Sequence, residues 1–273
     1  MTLDRLEANE IPAGVAQTDV LDLYKATRDV SNIRVLVPLF PEQLHIITRV
    51  ALGKKEGGGW KIPGTDKVIG ENIGAKDVVF DSFVSLAGRK VGSSGGSFYT
   101  AQVLSHPSFG NIPMQLVEDS AGADSVVAGV LSGKYDAGIL VGAQPLPTIT
   151  NLKDAMAGLK ILPVPDDVAA RVNKIYVRGQ PLSYRAMGQG GTNIPTLQVT
   201  SSLVVQNYTK GPMVEAFKRL RQCIWDNAEL QASTPGTHVA WKYIKPDAQS
   251  NWPMWQPPVS AGATAPVAKA LKK

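Results

Sequence analysis

The chain has 273 residues, of which 44% are hydrophobic and 19% charged, and a formal net charge of +5. That composition excludes wholesale disorder and a collagen-like repeat, and it allows one large core or two modest ones. The basic residues are scattered and not interleaved with aromatics, which argues against a nucleic-acid partner, and no run reaches the roughly 20 uncharged apolar residues of a membrane span.

The first residues, Met-Thr-Leu-Asp-Arg-Leu-Glu, have no apolar leader region. Such a start suits a cytosolic protein and equally an exported one whose leader has been removed. A short strand ending at Gln17 is followed by a predicted helix over Val20–Ala26. Ile33–Leu39 and Gln43–Arg49 read as two apolar segments split by Phe40-Pro41, and the glycine-rich stretch from Gly53 to Gly74 reads as a surface insertion.

From Arg89 onward strand and helix alternate. Strands are expected at Arg89–Val91, Met114–Glu118, Asp136–Val141 and Lys160–Val164, with helices at Phe98–Leu104, Ala123–Ser132, Thr148–Met156 and Asp166–Ile175. Short connections between such elements indicate an α/β sheet with helices on both faces. Thr196–Val205 is a long β-branched strand, and Met213–Leu230 is an amphipathic helix with Val214, Phe217, Leu220, Ile224 and Trp225 on one face. Cys223 in that helix is alone and reads as a small buried apolar side chain. His45, His106 and His238 are too far apart to suggest a structural metal site, and no cofactor is expected. A tail from Ser250 begins as a strap bearing Trp252 and Trp255.

The most informative stretch is the loop Gly92-Ser-Ser-Gly-Gly-Ser97 ahead of the helix at Phe98. Glycines permit close backbone approach, and the first turn of a helix has N–H groups without internal acceptors. With the hydroxyls of Ser93, Ser94 and Ser97, and with Gly95 and Gly96 between them, this is either a cradle for a small anion or an ordinary Ser-capped turn.

A weak internal repeat relates Leu6–Val15 to Leu131–Ile139, each a helix end, a polar turn and a strand opening on Ala-Gly. Two similar α/β lobes follow from it, the first lacking its opening strand, loop and helix. The expected division is 1–45 for a partial first lobe, 46–204 for the second, 205–250 for the return to the first, and 251–273 for the tail.

With these residues placed, the chain resembles the TAXI family of solute-binding proteins that serve TRAP-type transporters. Gly14-Val-Ala-Gln-Thr-Asp19 is similar to that family's strand ending in Gln-Ser-Asp, with Thr18 for Ser. Leu39-Phe-Pro-Glu42 is similar to its Leu-Tyr-Pro-Glu crossing segment, and Leu86 to Ser97 to its glycine-rich loop. Asp136-Ala137 with Val141-Gly142, and Ile194 to Val205, match two further strands. The resemblance implies a two-lobe, type II periplasmic-binding fold with hinge strands, a periplasmic location, a small organic anion such as a carboxylate or glutamate-like amino acid as ligand, and the membrane components of a TRAP-type transporter as partners. The family's first glycine-rich strand–loop–helix is not found here, and the stretch between Leu52 and Val78 is long for the family.

In such a fold the cleft residues are expected to be Gln17, Thr18, Asp19 and Glu42 from the first lobe, and Ser93, Ser94, Gly95, Gly96, Ser97, Phe98, Gly142 and Gln144 from the second. Asp19 either holds an ammonium group or caps the helix at Val20, and Glu42 either lines the cleft or is a solvated carboxylate. Tyr184 and Arg185 read as surface loop. A rival reading takes Gly92-Ser-Ser-Gly-Gly96 near its face value as a nucleophile elbow, with Ser94 as nucleophile, Asp136 or Asp166 as acid and His238 as base. A third, the effector domain of a regulator, lacks a DNA-binding helix pair.

Overall fold

A computed structural model of the chain describes residues 2–52, 55–56, 59–69, 76–187 and 191–258. Its strands are β1 (Ala13–Gln17), β2 (Ile33–Arg49), β3 (Lys55–Glu56), β4 (Trp60–Lys61), β5 (Val68–Ile69), β6 (Lys76–Asp77), β7 (Lys90–Ser93), β8 (Gln115–Glu118), β9 (Ala137–Gly142), β10 (Leu159–Ile161), β11 (Val177–Arg178) and β12 (Leu197–Gln206). Its helices are α1 (Thr2–Glu7), α2 (Thr18–Thr27), α3 (Gly95–Ser105), α4 (Ala123–Ser132), α5 (Pro147–Thr150), α6 (Asp166–Arg171) and α7 (Pro212–Ser233). Part of the glycine-rich insertion and the end of the tail lie outside the described residues; within the insertion β3 pairs with β6 and β4 with β5.

One mixed sheet organises the rest. Its order is β1-β12-β2-β9-β7-β8, with β10 beside β2 and β11 beside β12. The α/β class is thus as the alternation predicts. β7 is parallel to both β8 and β9, as β–α–β crossovers require, whereas β2 and β12 run antiparallel to each other and to their neighbours.

The two long strands are what give the sheet two halves. The first part of β2 and the last part of β12 pair together, and β1 joins β12 at Ser201–Val205. The second part of β2 pairs instead with β9 and β10, and the start of β12 carries β11. Each half buries a cluster on each face. Leu3, Leu21, Tyr24, Val35 and Val204 lie under α1 and α2, and Leu36, Val205, Phe217 and Trp255 lie under α7 and the strap. Leu44, Ile46, Val91, Leu104 and Tyr176 form a cluster with α3, and Ile47, Val126, Val130, Tyr135 and Tyr184 one with α4.

Several expectations are corrected. The two apolar segments around Phe40-Pro41 are one 17-residue strand. Proline cannot donate to a ladder, yet Pro38 and Pro41 face Ser202 and Thr200 across a register shift, where the ladder is already interrupted. The division near residues 45 and 204 therefore falls inside continuous strands. The helix expected over Thr148–Met156 is split into α5 and a 3-10 turn at Lys153–Gly158, because Lys153 adopts φ +50°. The helix from Asp166 stops at Arg171. Cys223 is exposed, not buried. Tyr184 is buried, not on a surface loop, with its hydroxyl between the His45 ring and the Leu146 N–H. The strap is real: Trp252 and Trp255 are buried, and Met254 bridges to Val35.

Candidate functional site at the strand crossing

The candidate site lies where β2 and β12 pass between the halves. β1 delivers Gln17 to this junction and ends there, because the next residue opens α2. The Gln17 Nε2 donates to Glu42 Oε2 at 2.6 Å. Burial pushes the Glu42 carboxyl from its ordinary 4.5 up to about 7, with the Gln17 hydrogen bond opposing the shift and the Asp19 charge adding to it.

From the other half, β7 ends at Ser93 and α3 starts at Gly95, two residues later. Gly95 takes φ +53°, a left-handed turn that brings the helix start about sharply, and it has open space around it. Gly96 faces Gln17 so closely that a Cβ on it would lie 2.9 Å from Gln17 Oε1. The glycine pair therefore lets the opening turn of one half abut the strand end of the other. The N–H groups of Gly95, Gly96 and Ser97 have no carbonyl four residues back within the helix, which makes this end electropositive.

The hydroxyls behave differently from expectation. Ser93 belongs to the strand, is fully buried and donates to Ile139 O at 2.7 Å. Ser97 accepts from Val141 N at 2.9 Å. Both tie the loop to β9, Ser97 with its O–H still free to donate. Ser94 is the half-buried N-cap residue, and its side chain makes no cap bond.

Asp19 is not the N-cap of α2, a place taken by Gln17. It sits in the first turn of α2, fully buried, and accepts from Thr100 Oγ1 at 2.5 Å and from the Tyr176 hydroxyl at 2.8 Å. Val20 N–H donates to its other oxygen at 2.9 Å. Burial pushes the Asp19 carboxyl up while these bonds pull it down; burial, then the Asp19 charge, push the Tyr176 hydroxyl well up. A carboxylate of the first half is thus clasped by two hydroxyls of the second. Sequence reasoning missed Thr100 and Tyr176. Thr100 follows Ser97 by three residues on the same helix and was open to detection, but nothing local marks Tyr176.

Gln43 and the candidate Gln144 lie on the other face of β2, since Glu42 and Gln43 point to opposite sides of a strand. Gln43 Oε1 accepts from Gln144 N at 3.1 Å, and its Nε2 donates to Gln198 at 3.3 Å. Gly142 is buried beneath Leu146. Thr18 Oγ1 accepts from Thr200 N at 3.4 Å, and Phe98 is half-buried in the first turn of α3. Among the described residues, Gln17 Oε1 is buried without a hydrogen-bond partner, and so is the Oγ of Ser201, its cross-strand neighbour on β12. Buried polar groups are normally paired, so these two atoms are open to a further partner.

The hydrolase arrangement is not assembled. Both ring nitrogens of His238 are engaged, Nδ1 by Ala240 N–H and Nε2 by Pro145 O. Asp166 pairs with Arg178, and Asp136 accepts from Lys90 N at 3.2 Å. No triad member is oriented by another.

No family model and no curated protein matches the chain. Among solved structures, protein AF1704 from Archaeoglobus fulgidus is similar over 89% of this chain at 16% identity with a TM-score of 0.47. The chain spans 66% of that protein's length, just under two thirds. The arginine-, lysine-, histidine-binding protein ArtJ from Geobacillus stearothermophilus is similar over 86% of this chain and 74% of its own, at 14% identity and a TM-score of 0.46. The GluR0 ligand-binding core, solved with L-glutamate, is similar over 81% and 69%, at 9% identity and a TM-score of 0.44. The fold class rests on the strand order above, not on these likenesses.

Proposed function

We propose that the protein is a two-lobe solute-binding protein of the type II periplasmic-binding kind, which captures a small organic anion, a carboxylate or a glutamate-like amino acid, and performs no chemistry on it. The observation that supports this reading is the meeting of the α3 N-terminus with Gln17, whose Oε1 is buried and unpaired, beside Glu42. A ligand carboxylate fits the N–H groups of Gly95 to Ser97. Asp19 already accepts three hydrogen bonds within the protein, so an ammonium group of an amino-acid ligand falls to Glu42, whose proton is released to solvent as the ion pair forms. Delivery to a TRAP-type transporter in the periplasm extends the same reading and rests on the sequence resemblance. The long continuous strands β2 and β12 would serve as the hinge about which the halves close.

Native mass spectrometry of the full chain, purified without unfolding and then titrated with L-glutamate, tests this. An adduct of organic-acid mass, or saturable glutamate binding, is expected, and Gly96→Val should abolish it by placing side-chain atoms against Gln17. A wild-type chain that carries no adduct and ignores glutamate and simple dicarboxylates would sink the proposal.

A further inference from the structure

A second cavity, of about 260 Å³, opens beside the junction along the outer edge of β12. β11 covers that edge at Leu197–Gln198 and β1 covers it from Ser201 onward, so Val199 and Thr200 lie in a gap between them. The cavity fills this gap. Its walls come from α2 (Thr18, Asp22), from the segment Lys174–Val177, and from the strap at Gln249–Trp252.

Three features of the walls point to a ligand. Asp22 and Lys174, exposed at the mouth, line the same cavity with opposite charge, yet neither forms a hydrogen bond or salt bridge among the described residues, with the other or with anything else. Space therefore separates them. Trp252 is 8% exposed, and its indole N–H is buried without an acceptor. The rest of the lining mixes amide and hydroxyl groups of Gln198, Thr200, Gln249 and Asn251 with the apolar Val199 and Ile175. Lys25, one turn beyond Asp22, holds its ammonium 5.6 Å from the centre of the Trp252 ring and adds positive charge near the Asp22 side.

We infer that this cavity binds a small zwitterion, an amino acid or ω-amino acid whose ammonium group pairs with Asp22 and whose carboxylate pairs with Lys174. Its volume lies just below the range typical of drug-sized pockets, which limits the occupant to a few heavy atoms. A singly charged amine or acid satisfies one pole and leaves the other without a counter-charge in the cavity, whereas a zwitterion satisfies both. Because α2 and the strap belong to the first half and Lys174 to the second, an occupant here also ties the halves together at the hinge.

Calorimetric titration of the full chain with γ-aminobutyrate and glycine, against n-butylamine and butyrate as single-pole controls, tests the inference. At least one zwitterion should bind about tenfold or more tightly than both controls, a difference of about 1.4 kcal/mol. Asp22→Asn and Lys174→Gln should each weaken it about tenfold with the melting temperature unchanged, both side chains being exposed. Equal binding of the controls, binding unchanged in both variants, or no zwitterion bound would overturn it. Gly96→Val separates the two sites: it should leave γ-aminobutyrate binding intact while removing glutamate from the strand crossing, so failure of one reading is distinguishable from failure of the other.

Discussion

At the residue scale, two titratable groups, the half-buried Glu42 and the buried His45, face opposite sides of β2 and impose opposite pH dependences. Glu42 is held up at about 7, so the folded chain carries its proton where the unfolded chain has lost it. Its contribution to stability is full below about 4.5 and is lost as pH rises through 7. Glu42→Gln should therefore make the decline in unfolding free energy between pH 5 and pH 8 shallower, as read by urea denaturation; parallel profiles would show that the carboxyl is not protonated in the fold. His45 is pushed down to about 4 by burial, its Nδ1 contact with Gln43 O opposing the shift. The neutral ring is native, so its contribution is full above 6.5 and is lost as pH falls through 4. His45→Gln should flatten the acid limb of the same curve, and an unchanged limb would place acid sensitivity elsewhere. Neither charge state was legible in the sequence. A glutamate after Pro41 and a histidine in an apolar run are ordinary residues until burial fixes which side of the strand each occupies.

At the element scale, the strap shows how a proline-rich tail becomes structure. Trp255 is fully buried edge-on to Phe217 of α7, with ring centroids 5.7 Å apart. Its Nε1–H donates to Tyr208 O at 3.1 Å, and its backbone N–H donates to Val35 O at 2.8 Å. Arg221 of α7 lies over the Trp255 ring at 5.4 Å. The strap thus pins α7 to the start of β2. Trp255→Ala should cost about 3–5 kcal/mol, the range for emptying a large aromatic site, with the loss read as a lower urea midpoint. A cost under about 1 kcal/mol would mean that α7 holds its place without the strap. The sequence marked the two tryptophans as anchors. It misjudged Cys223, because the apolar stripe of α7 is narrow and Leu220 on its margin is also largely exposed.

At the scale of the whole molecule, the halves of the sheet are unequal. Among the described residues β1 is the terminal strand, paired only with β12, and Val15 on it is 53% exposed. β9, the related Ala-Gly strand of the internal repeat, pairs on both sides, with β2 and β7. An edge strand has one ladder and opens with less free energy than a strand held on both sides. Amide hydrogen exchange should be markedly faster in Val15 and Ala16 than in Ile139 and Leu140. Equal protection would mean that some further element covers the β1 edge in solution.

The sequence by itself determined most of the strand–helix alternation from Arg89 onward and the location of the glycine-rich turn, because these depend on local periodicity, β-branching and backbone freedom within a few residues. It indicated the α/β class for the same reason. Only the tertiary structure decided that the segments around Pro41 are one crossing strand, since a proline is tolerated there by a register shift in its neighbour β12. It also decided which polar residues are spent on the protein's own framework. Ser93, Ser97 and Asp19 read as ligand contacts in sequence, but their partners are Ile139, Val141, Thr100 and Tyr176, between 44 and 157 residues away. Hydrogen-bond satisfaction is a property of what lies within about 3 Å in space, and no local pattern encodes a partner that distant along the chain.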